Sequence, residues 1–479
     1  MNNTQRQVFV SLYALPVSII LALIVGPILR DGMFIDGLVY TNLAKNIYQG
    51  VGSFWAPLVD TGGPVFYDHP PLLPYLESLF FHLFGNHRHT EDIYNATVFG
   101  LTVFFMYRIW VSAAGKSNRS HFFFPLLLFA LSQEVQLRYP NAMLECGMTL
   151  VLLVFTFLYL RWYPRRPVVA TLLAGVGAFF AFLCKGPVGL FLLGLPLLHA
   201  LLVERRRYTG AILLPLLSMG MCFGALFLLE PAAFEFTRHY LDQQVLSALL
   251  GERIENVAAS RLAILWSLIN TNIPAILLCL LLLRVRRTRD SAHWHQLGYM
   301  FVLVGATAIL PIVVSIKQAA YYQIPSLPYL FIGLSLLLLP RLKQVVQFLY
   351  SSLATRRALT SIASVGIVTT TYVALSMLGT TDRRDVEALA QAERIAAIMD
   401  SLGTTRYNLI VTGERAAFNT ALSYTVTGSL NRWYDVYEDR TKKADVDLII
   451  RTSKEQLLPP SNDDDMLFLR NNVSLTLAK

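Results

Sequence analysis

The run VFVSLYALPVSIILALIVGPI, residues 8–28, contains no charged side chain. A helix needs about 20 apolar residues to cross a hydrocarbon core of about 30 Å. This run has that length, is longer than the apolar part of a signal peptide, and is followed by no small-residue cleavage site. We therefore expect a retained first transmembrane helix.

Composition extends this expectation to the whole chain. Of its 479 residues, 54% are hydrophobic and 15% are charged, whereas about 25% of the residues in a soluble globular protein are charged. The net charge of +9 would suit nucleic-acid binding, but the basic residues stand in short clusters between apolar runs, as topology signals do. We expect a polytopic α-helical membrane protein with no nucleic-acid partner.

Ten more apolar runs follow the first, so the sequence predicts about eleven transmembrane helices. The runs at 121–137 and 147–162 are short. The predicted spans are residues 8–29, 93–113, 121–137, 147–162, 168–184, 187–203, 210–229, 262–283, 297–314, 322–340 and 359–379.

The loops between these runs alternate in charge, and the positive-inside rule makes the basic side cytoplasmic. The other side begins with a long first outer loop at about residues 30–92. The basic set is Arg6; Lys116 and Arg119; Arg161, Arg165 and Arg166; Arg205, Arg206 and Arg207; Arg284, Arg286, Arg287 and Arg289; Arg341 and Lys343; and Arg356 and Arg357. The acidic set is Asp31, Asp36, Asp60, Asp68, Glu91 and Asp92; Glu145; and Glu230, Glu235, Asp242, Glu252 and Glu255.

Two segments outside the spans have a predicted structure of their own. Residues 72–84 are apolar but too short to cross, so we expect a helix at the outer interface, opened by Pro70-Pro71. Residues 380–479 are polar and mixed in character, with strands predicted at 407–413 and 446–452 and a helix at 383–402. The chain thus divides into a transmembrane module, 1–379, and a small extracytoplasmic α/β domain, 380–479.

Three acids stand at the outer ends of different predicted helices. Asp36 follows the first span, Asp68 lies in the stretch Tyr67-Asp68-His69-Pro70-Pro71-Leu72, and Glu145 leads into the fourth span. Each could simply cap a helix, form a turn or favour a helix dipole. Alternatively, the low dielectric near a membrane would raise the pKa of such a carboxylate and make it a stronger base at neutral pH. Asp36 and Asp68 could also hold Mg²⁺ or Mn²⁺, which prefer oxygen ligands.

Two lysines stand at the same outer side. Lys185 begins Lys185-Gly186-Pro187 at the sixth span, and Lys317 precedes Tyr321-Tyr322-Gln323-Ile324-Pro325. Both could merely snorkel to the interface. A phosphate at the outer membrane surface could equally pair with both positive charges, since a lysine ammonium is a point charge that suits phosphate.

The ordered set of these motifs resembles the polyprenyl-phosphate-sugar-dependent glycosyltransferases of GT-C architecture. The nearest resemblance is to the group of the lipid A aminoarabinose transferases and, more remotely, the protein O-mannosyltransferases. It rests on Asp36; on residues 67–72; on Ala142-Met143-Leu144-Glu145; on Cys184-Lys185-Gly186-Pro187; and on Lys317 with residues 321–328.

The chain departs from the family pattern at two of these places. Asp68 precedes His69 where many members have Glu as the acid, and Asp36 is followed by Gly37 where protein mannosyltransferases often have Asp-Glu. A Trp-Trp-Asp motif of oligosaccharyltransferases does not occur in the sequence. These departures argue against a protein O-mannosyltransferase, and they do not identify the acceptor.

The resemblance implies a transfer reaction at the outer membrane surface. Asp36 would be the general base, with inversion at the anomeric carbon, while Asp68 and Glu145 would orient the sugar or acceptor or help hold a divalent ion. Lys185, Lys317 and Arg138 would stabilise the departing lipid phosphate, and Tyr67, His69, Tyr321 and Tyr322 would position the substrates. The residues 230–261 could close over the donor.

The implied partners are a polyprenyl-phosphate-linked sugar donor, membrane lipids, and a lipid, glycan or protein acceptor in the cell's inner (plasma) membrane. The main alternative function is a lipid or sugar transporter or flippase, for which charges inside the spans and broken-helix repeats would be typical. A scaffold protein would tolerate loss of both Asp36 and Asp68. The acids cluster at one face instead of inside the spans, which favours the transferase.

Overall fold

The computed structural model describes residues 3–60, 62–205, 209–250, 260–286, 292–315, 318–412, 421–439, 446–452, 465–470 and 473–478. Several residues named above lie outside these ranges. They are Arg206, Arg207, Glu252, Glu255, Arg287, Arg289 and Lys317.

Eight helices in the described ranges are long and apolar enough to cross a membrane, or nine if one pair bent by 69° is a single span. The bent pair is Ala263–Asn270 with Ile273–Leu283. The eight helices are Gln5–Ile28, Thr90–Ala114, Leu144–Trp162, Pro167–Leu202, Gly210–Leu229, Trp294–Val314, Ala320–Ser351 and Leu353–Ser376. The predicted α-helical multi-pass membrane protein is confirmed.

The helical stretch Pro167–Leu202 contains two of the predicted runs. The chain reverses between these runs, so the stretch is not one straight helix. Gly186 has φ +78°, a left-handed conformation that suits glycine. A Cβ atom at Gly189 would overlap Ala181, although eight residues of straight helix would separate the two by about 12 Å. Residues 186–202 therefore run back along residues 167–185, as the predicted spans 168–184 and 187–203 require.

The predicted run at 121–137 is broken into short pieces. Residues Lys116–Phe122 are 3₁₀-helical, and the helices Phe123–Ala130 and Gln133–Arg138 follow. Phe123 packs on Phe9 near the start of the first span, with ring centroids 6.3 Å apart. The helix Gln133–Arg138 contacts Leu21–Val25 near the end of that span, so the broken segment passes from one end of the bundle to the other.

The basic clusters meet at one end of the bundle. The ring of Phe9 lies 5.2 Å from that of His121 and 6.2 Å from that of Tyr350. Arg341 donates to the carbonyl of Val285 over 3.2 Å. These contacts bring the clusters near residues 6, 119, 285 and 341 to one side, which we call the basic end. The opposite side is the acidic end.

The acidic end is covered by short helices. They are Ile35–Tyr48 and Leu72–Phe84, the second of which has the bounds predicted for the interfacial helix. The ribbon of β1 (Gly52–Ser53) and β2 (Ala56–Pro57) lies between them. The hydroxyl of Thr41 donates to buried Glu77 over 2.8 Å and joins the two helices.

The last part of the chain is an α/β unit, as predicted. Helix Val386–Ser401 matches the predicted 383–402, and helix Ala421–Tyr434 packs against it. The mixed sheet has the order β4-β3-β5-β7-β6 and a parallel centre. Its strands are β3 (Arg406–Thr412), β4 (Tyr437–Glu438), β5 (Asp447–Thr452), β6 (Asp465–Arg470) and β7 (Val473–Ala478). A domain boundary at 379/380 stays a prediction.

This C-terminal unit is fixed to the acidic end by buried charges. Arg432, 1% exposed, makes a salt bridge to Glu91, 3% exposed, and donates to the carbonyl of His87 over 2.8 Å. Lys45 is fully buried, and its ammonium lies 2.6 Å from the carboxylate of Asp435. A buried charge is tolerated only when it is paired, so the two pairs fix the unit in one orientation.

Candidate active site

Two buried charges at the acidic end of the membrane helices form a pair. Glu145 stands in the first turn of Leu144–Trp162, and Lys185 is the last residue of Pro167–Lys185. The Lys185 Nζ and Glu145 Oε1 atoms are 2.5 Å apart, with side chains 5% and 0% exposed. Because removing one partner would leave an uncompensated charge in low dielectric, the two side chains hold each other in place.

Aromatic rings and a second cation surround this pair. The Lys185 ammonium lies 5.5 Å from the ring centroids of both Tyr321 and Tyr322. The guanidinium of Arg138 lies 4.9 Å from the Tyr321 ring and is hydrogen-bonded to Glu134 over 3.0 Å. A ring face attracts cations, so the Tyr321 ring stabilises both positive groups beside it.

Asp36 lies in the first turn of Ile35–Tyr48, and its side chain is exposed. The start of this helix is fixed because the Phe34 N–H donates to Asn141 Oδ1 over 2.7 Å. A Cβ atom at Gly37 would overlap the carbonyl oxygen of Asn141, so only glycine allows this approach. Within the described ranges Asp36 makes no ion pair.

Several of the predicted site residues lie close enough to Tyr40 to influence its pKa. Burial raises its pKa well above the ordinary value, and the charges of Asp36 and Glu145 together with Tyr321 and Tyr322 raise it further. The ring of His69 lies 5.8 Å from the ring of Tyr40. Residues from four separate stretches of the chain therefore surround one buried, neutral phenol.

A cavity of about 310 Å³ opens beside the Lys185–Glu145 pair. Its polar wall contains Lys185, Asp68 and His69, and Gln244 donates to the Asp68 carboxylate. The rest of the lining is largely apolar and aromatic, namely Pro187, Val188, Tyr240, Val245, Ala308, Pro311, Ile312, Ser315 and Tyr322. The cavity thus joins one cation and one carboxylate to an apolar pocket.

The structure places most predicted site residues in one region. Asp36, Arg138, Glu145, Lys185, Tyr321, Tyr322, Asp68 and His69 all belong to the cavity or to the group around Tyr40 and Tyr321. Tyr67 does not line the described cavity but packs on the helix Pro231–Tyr240, with its ring 5.2 Å from Phe236. Lys317 lies outside the described residues. The residues 241–246, from the segment expected to cover the donor, supply Gln244 and Val245 to the cavity wall.

Sequence reasoning missed three side chains of the site. Tyr40 stands four residues after Asp36 on one helix, so the shared helix face could have indicated it. Gln244 had no signal beyond its place in the predicted cover. Arg384, from the C-terminal unit, lies with its guanidinium 4.4 Å from the Phe34 ring, and Arg138 lies 4.8 Å from the same ring. No pattern in the sequence links residues 34, 138 and 384.

The predicted divalent-cation site at Asp36 and Asp68 gains no support from the geometry. Mg²⁺ and Mn²⁺ need several oxygen ligands. Among the described residues, no three His, Cys, Asp or Glu side chains stand close enough to hold a metal ion. Asp68 accepts a hydrogen bond from Gln244, whereas Asp36 interacts electrostatically with Tyr40. The described side chains around Asp36 and Asp68 do not supply the set of ligands that a resident metal ion needs.

No protein-family model and no curated protein sequence matches the chain. Among solved structures, ArnT from Cupriavidus metallidurans bound to undecaprenyl phosphate matches with a TM-score of 0.62 and 15% identity, over 96% of both chains. The apo state of the same protein matches with the same TM-score and identity, over 96% of this chain and 97% of that one. The chain therefore shares the fold of ArnT, which confirms the expected GT-C fold.

Proposed function

We propose that the protein is an integral membrane glycosyltransferase that moves a sugar from a polyprenyl-phosphate donor to an acceptor hydroxyl. The observation that carries the proposal is the Lys185–Glu145 pair. Its lysine lines a partly apolar cavity, and its acid interacts electrostatically with the exposed carboxylate of Asp36. The shared fold with ArnT, a protein solved with undecaprenyl phosphate, supports the same type of donor.

The cavity suits an amphipathic lipid phosphate. Its apolar wall, which includes Val188, Ala308 and Ile312, would hold the first isoprene units. The phosphate would then lie against Lys185 and Tyr322, with Arg138 nearby at Tyr321. Lys317 follows Ser315 of the cavity wall by two residues, and we keep it as a further phosphate-binding residue.

The reaction needs one base and one stabilised leaving group. The acceptor oxygen attacks the anomeric carbon, its proton passes to the Asp36 carboxylate, and the bond between that carbon and the phosphate oxygen breaks. The electron pair of this bond stays on the phosphate, so the new negative charge arises near Lys185 and Arg138. A cation already in place costs no reorganisation in the transition state, and attack from the opposite face gives inversion.

The remaining acids have different roles in this scheme. Asp68 lines the cavity and, with His69, would orient the sugar through its hydroxyl groups. Glu145 is fully buried, so it acts through Lys185, whose ammonium it aims toward the cavity. Tyr67 would help fix the covering helix at Phe236. No step uses a metal ion.

The acceptor is a lipid, a glycan or a protein hydroxyl, and the acidic end is the extracytoplasmic face of the cell's inner (plasma) membrane. The positive-inside rule supports this orientation, because the basic clusters meet at the opposite end. The C-terminal unit then also lies outside the cytoplasm.

The test is sugar transfer by Asp36→Asn in isolated membranes supplied with a labelled polyprenyl-phosphate sugar. A general base contributes about 10²–10⁴-fold, so we expect transfer to fall by roughly that factor. The control is Asp400→Asn, an exposed carboxylate on helix Val386–Ser401. Both variants change one carboxylate to an amide, and only the first should lose activity.

Turnover like that of the wild type in Asp36→Asn would reject this residue as the base. Net movement of the donor across the membrane without sugar transfer would favour the transporter over the transferase.

A further inference from the structure

A second and larger cavity lies between the outer helices and the C-terminal unit. Its volume is about 720 Å³, and we call it the junction cavity. Tyr48, near its wall, stands twelve residues after Asp36, roughly 18 Å along the helix. None of its lining residues lines the cavity beside Lys185. They are Tyr48, Gln49, Val51 and Asn86 from the first outer loop, and Thr405, Arg406, Asp435 and Tyr437 from the C-terminal unit.

One carboxylate oxygen in this cavity is held by several polar contacts. Asp435 Oδ1 lies 2.6 Å from the Lys45 ammonium and accepts a hydrogen bond from Gln49 over 3.3 Å. The Tyr437 hydroxyl lies 3.2 Å from Asp435 Oδ1 and 2.8 Å from Gln49 Oε1, and it shares its one proton between these two acceptors. These contacts of Asp435 all use Oδ1, which leaves Oδ2 as an acceptor on a half-exposed side chain. Asp435 also has φ +55°, a left-handed conformation that is uncommon outside glycine. Its aim is therefore set by the structure.

Hydrogen-bond donors and a ring face complete the wall. Asn86 uses its oxygen to accept from Arg432 over 3.0 Å, so its amide N–H groups remain as donors. Arg406 uses one terminal nitrogen for Asp439 at 3.3 Å and is 55% exposed. The Tyr437 ring lines the cavity, and the Lys45 ammonium lies 5.2 Å from its centroid.

The charges of the junction cavity are balanced. Asp435 is paired with buried Lys45, and Arg406 is paired with Asp439. A strongly charged ligand such as a nucleotide would find no net counter-charge there. Acceptors and donors beside a tyrosine ring instead match a molecule with neighbouring hydroxyl groups and an apolar C–H face. A neutral sugar has both.

We propose that the junction cavity is a binding site for a neutral oligosaccharide, with Asp435, Asn86 and Arg406 bonding its hydroxyls and Tyr437 stacking on a sugar ring. This site is separate from the transfer site and does not depend on the function proposed above. It requires the C-terminal unit, because half of its wall comes from there.

The test uses the full-length protein in lipid nanodiscs, free of detergents with sugar head groups. The probes are linear tetrasaccharides of glucose, mannose, galactose and N-acetylglucosamine, and the measurement is isothermal titration with no donor present. We expect at least one probe to bind. Val51→Trp should weaken that binding at least tenfold, because the indole would protrude into the cavity from its wall without removing a polar contact. The control Val386→Trp, at a valine 50% exposed outside the cavity, should bind as the wild type does.

A second variant keeps the proposal testable if Val51→Trp does not fold. Arg406→Gln removes the guanidinium from a half-exposed position, and it should weaken binding severalfold. No binding of any probe to the wild type, or unchanged binding in both Val51→Trp and Arg406→Gln, would overturn the proposal. Since no sugar is transferred in this assay, either result is independent of the transferase test.

Discussion

Lys185 and Glu145 depend on each other for stability, but of the two only Lys185 lines the cavity. Lys185→Met would leave Glu145 buried without a counter-charge, a change that typically costs about 3–5 kcal/mol. Adding Glu145→Gln should restore most of the stability and none of the transfer, because the donor phosphate still lacks its cation. Thermal unfolding and donor-dependent turnover of the purified variants measure the two effects.

The matched control for this pair is Lys116→Met, an exposed lysine at the basic end, which should change neither property. Transfer that recovers together with stability in the double variant would show that Lys185 acts only as a structural residue.

Glu77 makes a prediction about pH that does not concern catalysis. Burial is the main cause that raises its pKa from 4.5 to about 8, opposed by the Thr41 hydrogen bond. Glu91 raises this pKa further and Arg432 lowers it. Between these two pH values the folded protein holds a proton that the unfolded chain has released, so stability falls as pH rises toward 8.

We expect this fall to reach about 1.4 kcal/mol per pH unit and to disappear in Glu77→Gln. Unfolding midpoints between pH 5 and pH 8 test the prediction, with the exposed Glu235→Gln as a control. Lys45 has the opposite effect only at higher pH, because burial lowers its pKa to about 8. A wild-type slope that persists in Glu77→Gln would assign the pH dependence to other groups.

At the scale of single residues, sequence alone could predict the chemical types and not the pairings. Asp36, Asp68 and Lys185 were visible as polar groups at the ends of apolar runs. The salt bridge between Glu145 and Lys185 can be predicted only when their two helices are known to form an antiparallel hairpin with arms of equal length. The contact of Arg384 with Phe34 depends on tertiary packing across 350 positions of the chain, which no local pattern encodes.

The helix Ile35–Tyr48 is the element that sets the position of Asp36. Its first turn lies so close to Asn141 that a Cβ atom at Gly37 would overlap the Asn141 carbonyl oxygen. Gly37→Ala should therefore shift the carboxylate and lower the turnover number at least tenfold, with a smaller change in the Michaelis constant for the donor. A shift of about 1 Å at a reacting group can cost roughly that much or more.

Gly100→Ala is the control for this element, because nothing lies within 4 Å of a Cβ atom at Gly100. Alanine favours a helix over glycine by about 1 kcal/mol, so this variant should be as active as the wild type and at least as stable. Full activity in Gly37→Ala would mean that the contact with Asn141 does not position the base.

The sequence predicts helices best where the length of an apolar run determines their bounds. The interfacial helix 72–84 and most spans appear at the expected positions, because the bilayer fixes how many apolar residues a crossing needs. Residues 116–138 differ, since they cross as short helical pieces rather than as one helix. Polar residues 132–134 (Ser-Gln-Glu) interrupt the run there, and packing against the first span replaces the continuous helix.

At the scale of the molecule, the described contacts separate two ends. Basic clusters meet at one end, and the candidate active site, the junction cavity and the C-terminal unit lie at the other. Charge alternation in the sequence predicts this division. The sequence could not show that Lys45 and Arg432, both buried, fix the C-terminal unit on the helices.

The central claim is that acids and cations from distant stretches converge on one extracytoplasmic face. Cysteine accessibility in intact cells tests it most directly. The four native cysteines are not disulfide-bonded and can be replaced first, before single cysteines are placed at the exposed positions Asp36, Asp68, Lys116 and Arg357.

A membrane-impermeant maleimide should label positions 36 and 68 from outside, and positions 116 and 357 only after the membrane is permeabilised. Labelling of positions 36 and 68 from opposite sides, or of positions 36 and 357 from the same side, would contradict the account.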